Sequence, residues 1–186
     1  MCLAALFGII IFPKLASRSS KSPDTDGLQM YYSCKFGYGV GRPKDWVVND
    51  SNFASNQEII IMDKTQNAIV KINASQDAGI KSVETFKEAI AKIKRQMTSD
   101  PNIKLTSFRD LSEDQVGGYL AVGKQTIDQV NYVFQSQGLF HTNGRILQFH
   151  GVIKADMEEN YPKDMISKIV ESFVINKELA CKNSSE

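Results

Sequence analysis

The sequence predicts an α+β fold in which a central antiparallel β-sheet is flanked by helices. Short β-type runs dominate the chain, and the two clearest helical patterns are separated by four such runs. Strand-like runs that follow one another with only short connections are typical of an antiparallel meander. A sheet of this kind buries one face against helices, which favours the α+β class.

The strands are recognised by apolar residues that alternate with polar ones. Ala68, Val70 and Ile72, for example, have polar neighbours, as expected of a half-buried strand. The predicted strands are Tyr31–Cys34, Glu58–Met62, Ala68–Asn73, Ile103–Arg109, Tyr119–Ile127, Val130–Phe140 and Arg145–Ala155.

Two helices are predicted from apolar residues spaced three or four positions apart. The first runs from Val83 to Met97, with Ser82 as its N-cap and Asp100-Pro101 as its stop signal. The second begins near Pro162, a residue suited to a first helical turn. Its expected buried stripe is Met165, Ile166, Ile169, Val170 and Phe173.

The last two strands are predicted to form a hairpin, because Asn143-Gly144 is a strong signal for a two-residue type I′ turn. Such a turn pairs Phe140 with Leu147. One face would then be the core side, with Tyr132, Phe134, Phe140, Leu147, Phe149 and Ile153. The other face would carry Asn131, Gln135, Gln137, Gln148, His150 and Lys154. We interpret Gln135, Gln137, Gln148 and His150 as a possible partner surface; a satisfied polar network packed beneath a helix is an equal alternative.

We predict that the N-terminus carries a targeting signal rather than part of the fold. Leu3 to Phe12 is almost purely apolar and is followed by Pro13. Ten residues are too few to span a bilayer, which needs about 20, but they fit the hydrophobic region of a signal peptide. No basic residue precedes the run, so we expect that the true start lies upstream. The polar linker that follows argues against the alternative of a buried N-terminal strand.

We therefore divide the chain into four segments. Residues 1–17 are a hydrophobic signal or anchor, 18–29 a polar linker, 30–176 the folded domain and 177–186 a C-terminal tail. This organisation predicts an extracytoplasmic protein, either membrane-anchored or secreted.

Composition and motifs argue against several classes of chemistry. Twenty-two basic and 21 acidic residues leave a net charge of +1, so nucleic acid is not expected as a partner. Two histidines and no C-x-x-C pair provide no zinc site, and no nucleophile motif is present. No catalytic, cofactor-binding or metal-binding residue is predicted. Asp156, Glu158 and Glu159 cluster before the last helix, where a solvated loop is favoured over a weak cation site.

Two motifs resemble those of the PsbP-like family. The first is Gly37-Tyr38-Gly-Val-Gly-Arg-Pro43-Lys-Asp-Trp46, and the second is Ile169-Val170-Glu-Ser172-Phe173 at the end of the last helix. Gly117-Gly118-Tyr119 at the start of the meander also fits. The resemblance covers roughly residues 30 to 176.

This resemblance implies a central antiparallel sheet sandwiched by helices, an α/β/α arrangement. The family includes the extrinsic PsbP subunit of photosystem II, which supports calcium and chloride retention, and many uncharacterised prokaryotic proteins that are membrane-anchored or secreted. A Ran-binding nuclear import factor shares the fold. The sequence is most similar to the prokaryotic group, which implies a non-catalytic binding or accessory role with a protein or membrane-complex partner. The alternatives are an enzyme, hydrolase-like or metal-dependent, with a dispersed site, and a cytosolic binding factor.

The cysteines bear on the predicted compartment. Cys2 lies in the hydrophobic run, which leaves Cys34 and Cys181 at the two ends of the folded body. Domain termini are often close in space, and export would supply oxidising conditions. We therefore predict a possible disulfide between Cys34 and Cys181; two unrelated thiols are the alternative.

Overall fold

The structure is a computed structural model that describes residues 27–112 and 116–183. The described residues form two compact units: one comprises residues 27–48 and 164–183, and the other the described part of residues 49–163. The predicted signal or anchor, residues 1–17, lies outside the described residues, as does most of the predicted linker. Among the helices that are described, none is long and apolar enough to cross a membrane.

The elements confirm the expected α+β class, with a large antiparallel sheet and helices. In chain order they are β1 (Gln29–Ser33), β2 (Tyr38–Arg42), β3 (Val47–Asn49), α1 (Phe53–Asn56), β4 (Glu58–Met62), β5 (Ala68–Gln76), α2 (Val83–Ser99), β6 (Ile103–Asp110), β7 (Val116–Ile127), β8 (Val130–His141), β9 (Arg145–Lys154), α3 (Met165–Ser172), β10 (Val174–Ile175) and α4 (Lys177–Asn183). The two predicted helices and seven predicted strands are all present, with small displacements at their ends. Residues 177–183, which we expected in the tail, form α4.

The first unit contains a three-stranded antiparallel sheet in the order β1-β2-β10. The two family motifs meet here. The Gly41 N–H donates a hydrogen bond to Ser172 Oγ at 2.7 Å, and the rings of Tyr38 and Phe173 stack at 5.9 Å. A Cβ on Gly41 would lie 2.8 Å from Ser172 Oγ, so only glycine allows this approach. The motifs therefore encode one packing contact.

The second unit contains six antiparallel strands in the order β4-β5-β9-β8-β7-β6. Helix α2 packs over β6 and β7, and it begins with a capping box in which Ser82 and Thr85 bond each other's backbone N–H groups. We call the side of the sheet that α2 covers the helix face. Its core is formed by Ile80, Phe86, Ile90, Tyr119, Ala121, Phe134, Phe140 and Val152.

The opposite side, which we call the far face, changes character across the sheet. On β4, β5 and β9 its side chains are buried, including Ile59, Ile61, Val70, Ile72 and Phe149. On β6, β7 and β8 they are half-buried or exposed. On this half of the far face, β7 and β8 carry half-buried aliphatic side chains, and β6 and β7 carry exposed cations.

The predicted register of the β8–β9 hairpin is wrong by one residue. Phe140 pairs with Ile146, not with Leu147, and His150 pairs with Ser136. The connection has three residues, and Gly144 adopts a φ of +83° while its N–H bonds the His141 carbonyl at 2.8 Å. A three-residue loop of this type replaces the expected two-residue turn. Because of this one-residue shift, residues of β8 and β9 that were predicted to share a face lie on opposite faces of the sheet.

Candidate functional site

The register places the four residues of the predicted partner surface on two different faces. Gln135 and Gln137 pair with Gly151 and Phe149 and lie on the far face. Gln148 and His150 lie on the helix face, because they pair with Gly138 and Ser136. The four side chains therefore do not form one surface. The reason is the extra loop residue, which the Asn-Gly pattern does not reveal.

His150 is a structural histidine of the helix face. Its Nε2 lies 3.1 Å from the Gln125 amide nitrogen, and its ring lies 5.7 Å from that of Phe134. Lys71 is its direct neighbour on β5. Burial lowers the pKa of His150, and the positive charge of Lys71 lowers this pKa further. Both effects favour the neutral imidazole, whose Nε2 can accept from the Gln125 amide when the ring proton is on Nδ1.

Tyr119 forms a hydrogen bond with Gln148 on the helix face. The Tyr119 side chain is only 2% exposed, and its hydroxyl lies 3.3 Å from Ser136 Oγ. Gln148 also hydrogen-bonds this hydroxyl, while burial raises the Tyr119 pKa. The buried polar groups are thus satisfied by neighbouring strands. Gln148 and His150 therefore belong to a satisfied polar network, which was the alternative to a partner surface.

The predicted acidic cluster lies in a short 3-10 helix, Ala155–Asn160. Within the described residues, no group of three or more histidine, cysteine or acidic side chains is placed to hold a metal ion. A different carboxylate, Asp63, accepts hydrogen bonds from Tyr161 Oη at 2.8 Å and from the Ala68 N–H at 3.1 Å. Burial acts to raise the Asp63 pKa, but these bonds and one from Thr65 outweigh it and lower the pKa. Asp63 therefore stabilises its own turn.

The open half of the far face is the candidate functional site, and we call it the β6–β8 surface. Its members are Lys104, Ser107, Arg109, Leu120, Val122, Lys124, Val133, Gln135, Gln137 and Leu139. Lys104, Arg109 and Lys124 are exposed, and the aliphatic and glutamine side chains are half-buried. Two of the predicted partner residues, Gln135 and Gln137, belong to it.

The charges on the β6–β8 surface are all positive. Lys104 and Lys124 are directly opposite each other across β6 and β7, and Arg109 lies opposite Leu120. None of these three cations forms an ion pair with a carboxylate of the described residues. These three cations were not predicted as site residues, although each lies in a predicted strand. The alternation of side chains along β6 and β7 indicates which residues of each strand share a face. It does not give the register between the two strands, which brings the cations together.

The structure joins Cys34 and Cys181 in a disulfide, with the Sγ atoms 1.99 Å apart. This bond connects the end of the first strand to α4, whose Ala180 is fully buried. The bond therefore lies entirely within the first unit.

Comparison with known proteins defines the class of the molecule by its fold. No protein-family model matches the sequence, and no curated protein sequence matches it either. Cyanobacterial PsbP (CyanoP) from Synechocystis sp. PCC 6803 matches in structure with a TM-score of 0.54 and 16% identity, covering 86% of this chain and 99% of that one. The Ran-binding protein Mog1p of Saccharomyces cerevisiae matches with a TM-score of 0.52 and 7% identity, covering 82% and 98% of the two chains.

Both similar structures agree with the class seen here, an α+β protein built on a large antiparallel sheet. The particular architecture is the PsbP-like fold, so the resemblance inferred from the two motifs is confirmed at the level of the fold. At such identities the similarity shows the fold alone.

Proposed function

We propose that this protein is a non-catalytic binding or accessory protein that acts outside the cytoplasm. The observation that carries the proposal is the β6–β8 surface, where half-buried aliphatic side chains lie beside three exposed cations. Apolar surface framed by polar residues is a common feature of protein interaction sites. The function is therefore contact with a partner.

Two side chains of types that can take part in acid–base chemistry support the same proposal. His150 and Tyr119 are engaged with Gln125, Ser136 and Gln148 of neighbouring strands. Each side chain forms hydrogen bonds with other polar groups on the helix face of the sheet.

The disulfide supports the proposed compartment, because such bonds persist in oxidising surroundings. The hydrophobic run Leu3 to Phe12 supports export for a separate reason, its resemblance to a signal region. Protein binding is also a use already made of this fold, since one of the similar structures is that of a Ran-binding protein.

Site-directed crosslinking in the native host tests the binding role. The photoreactive residue p-benzoylphenylalanine is placed at Val122 on the β6–β8 surface and, as a matched control, at the exposed Lys92 of α2. We expect one discrete adduct from position 122, and weak or diffuse labelling from position 92. Equal patterns from both positions would contradict a binding role for this surface.

Fractionation and alkylation of the same cells test the compartment. The protein is expected with the membrane or extracytoplasmic fraction, and Cys34 and Cys181 are expected to resist alkylation until a reductant is added. Full-length protein in the cytosol with both thiols labelled would refute the proposed location. The non-catalytic role fails if a hydrolase panel reveals turnover that a single point substitution abolishes.

A further inference from the structure

We propose that the β6–β8 surface recognises an acidic protein surface; this inference rests on the proposed function and names the chemistry of its partner. Lys104, Lys124 and Arg109 supply every charge on the surface. Carboxylates on a partner would complement this positive charge. Such complementarity increases both the specificity of association and its rate.

The pairing of Lys104 with Lys124 is the first specific indication. The two residues are direct cross-strand partners, and like charges in that position disfavour strand pairing. Neither has a neutralising carboxylate among the described residues. A carboxylate of the partner placed between the two ammonium groups would relieve the repulsion. The bound state would therefore have a charge attraction that the free sheet does not have.

The spacing of the cations is the second indication. Arg109 lies opposite Leu120, four residues along β7 from Lys124, which places it about 13 Å from the lysine pair at the usual strand rise. Val122 lies between these two ends, and Leu120 lies beside Arg109. An apolar centre framed by charge at both ends is the usual anatomy of a protein interface.

The character of the central residues favours a protein over other anionic partners. No aromatic side chain belongs to the β6–β8 surface, so stacking of single-stranded bases has no platform. The aliphatic side chains are half-buried, which suits contact with a protein surface better than insertion into a membrane. Gln137 adds an amide group, which has both donors and an acceptor for the peptide groups of a partner.

The binding test uses defined probes and the full chain. Fluorescence anisotropy measures binding of a labelled glutamate–leucine copolymer peptide, with single-stranded DNA and phosphatidylglycerol vesicles as competing anions. We expect binding of the peptide that weakens at higher salt. The double variant Lys104→Glu with Lys124→Glu should lose at least about tenfold in affinity. The matched control, Lys87→Glu with Lys92→Glu on exposed positions of α2, changes the net charge equally and should bind normally.

A single reversal separates binding from folding. Lys104→Glu replaces the like-charge pair with an opposite-charge pair across the strands, so it should raise the unfolding temperature while lowering affinity for the peptide. A lower unfolding temperature, or affinity equal to that of the parent, would overturn the inference.

The remaining outcomes are also decisive. Tighter binding of DNA or vesicles than of the peptide, or no binding of any probe, rejects an acidic protein as the partner. If the crosslinked adduct at Val122 is nevertheless obtained, the proposed function stands and only this inference fails. If both experiments fail, the proposed function fails as well.

Discussion

At the scale of single residues, His150 couples the stability of the sheet to pH. Its pKa is lowered in the folded protein, first by burial and then by Lys71, whereas an unfolded histidine titrates near pH 6.5. Below that pH the unfolded state binds more protons than the folded state, so the free energy of unfolding decreases as the pH falls. The loss levels off once the pH is below the folded-state pKa.

We therefore expect the urea midpoint to fall as the pH is lowered from about 8 to 5, with part of the decrease assigned to His150. The variant His150→Gln, which cannot be charged, should show a smaller decrease across this range. Equal pH profiles for the parent and the variant would show that His150 is not the titrating group.

Ser172 is the residue that joins the two family motifs, and it is only 4% exposed. The variant Ser172→Ala removes the acceptor of the Gly41 N–H. Leaving a buried donor unsatisfied costs about 1–3 kcal/mol, so we expect a loss of unfolding free energy in this range by chemical denaturation. Ser107→Ala, at an exposed position of β6, is the matched control and should change stability by less than about 0.5 kcal/mol.

At the scale of elements, the local patterns predict the helices better than they predict the pairing of strands. Helix α2 has its apolar spacing, N-cap and stop signal within one stretch of sequence, and the structure begins and ends it accordingly. The β8–β9 register depends instead on one loop residue, and Asn-Gly is compatible with turns of either length. An error of one residue there divides the predicted partner surface between two faces.

Gly144 is the residue on which that turn depends. It has a φ of +83°, and a Cβ at this position would collide with the Asp77 carbonyl oxygen. Gly144→Ala should therefore destabilise the protein by more than about 1 kcal/mol, because strain and steric overlap add. Thermal unfolding measures the effect.

Gly27→Ala is the control for this prediction, because Gly27 also has a positive φ but has no atom within 4 Å of the added Cβ. It isolates the backbone strain from the collision. Equal losses for the two variants would contradict the steric part of the argument.

At the scale of the whole molecule, the α+β class and the motifs of the PsbP-like fold are predictable because both depend on local composition. The β6–β8 surface is not predictable in this way. Lys104 and Lys124 meet only through the order and register of β6 and β7, and that register shifts at a bulge between Leu105 and Ser107. The sequence contains the charges but not the geometry that places them together.

The disulfide also has a consequence for how the molecule carries mechanical load. Cys34 and Cys181 are 147 positions apart in sequence, so a pulling force applied at the two chain ends passes through the bond and bypasses nearly everything between them. In force spectroscopy the oxidised protein should release only the short segments outside the pair. After reduction the same pull should extend the chain by up to about 500 Å. Equal extensions before and after reduction would mean that the bond is not formed. A pull at the two chain ends would thus transmit tension through the disulfide while the residues between Cys34 and Cys181 stay folded.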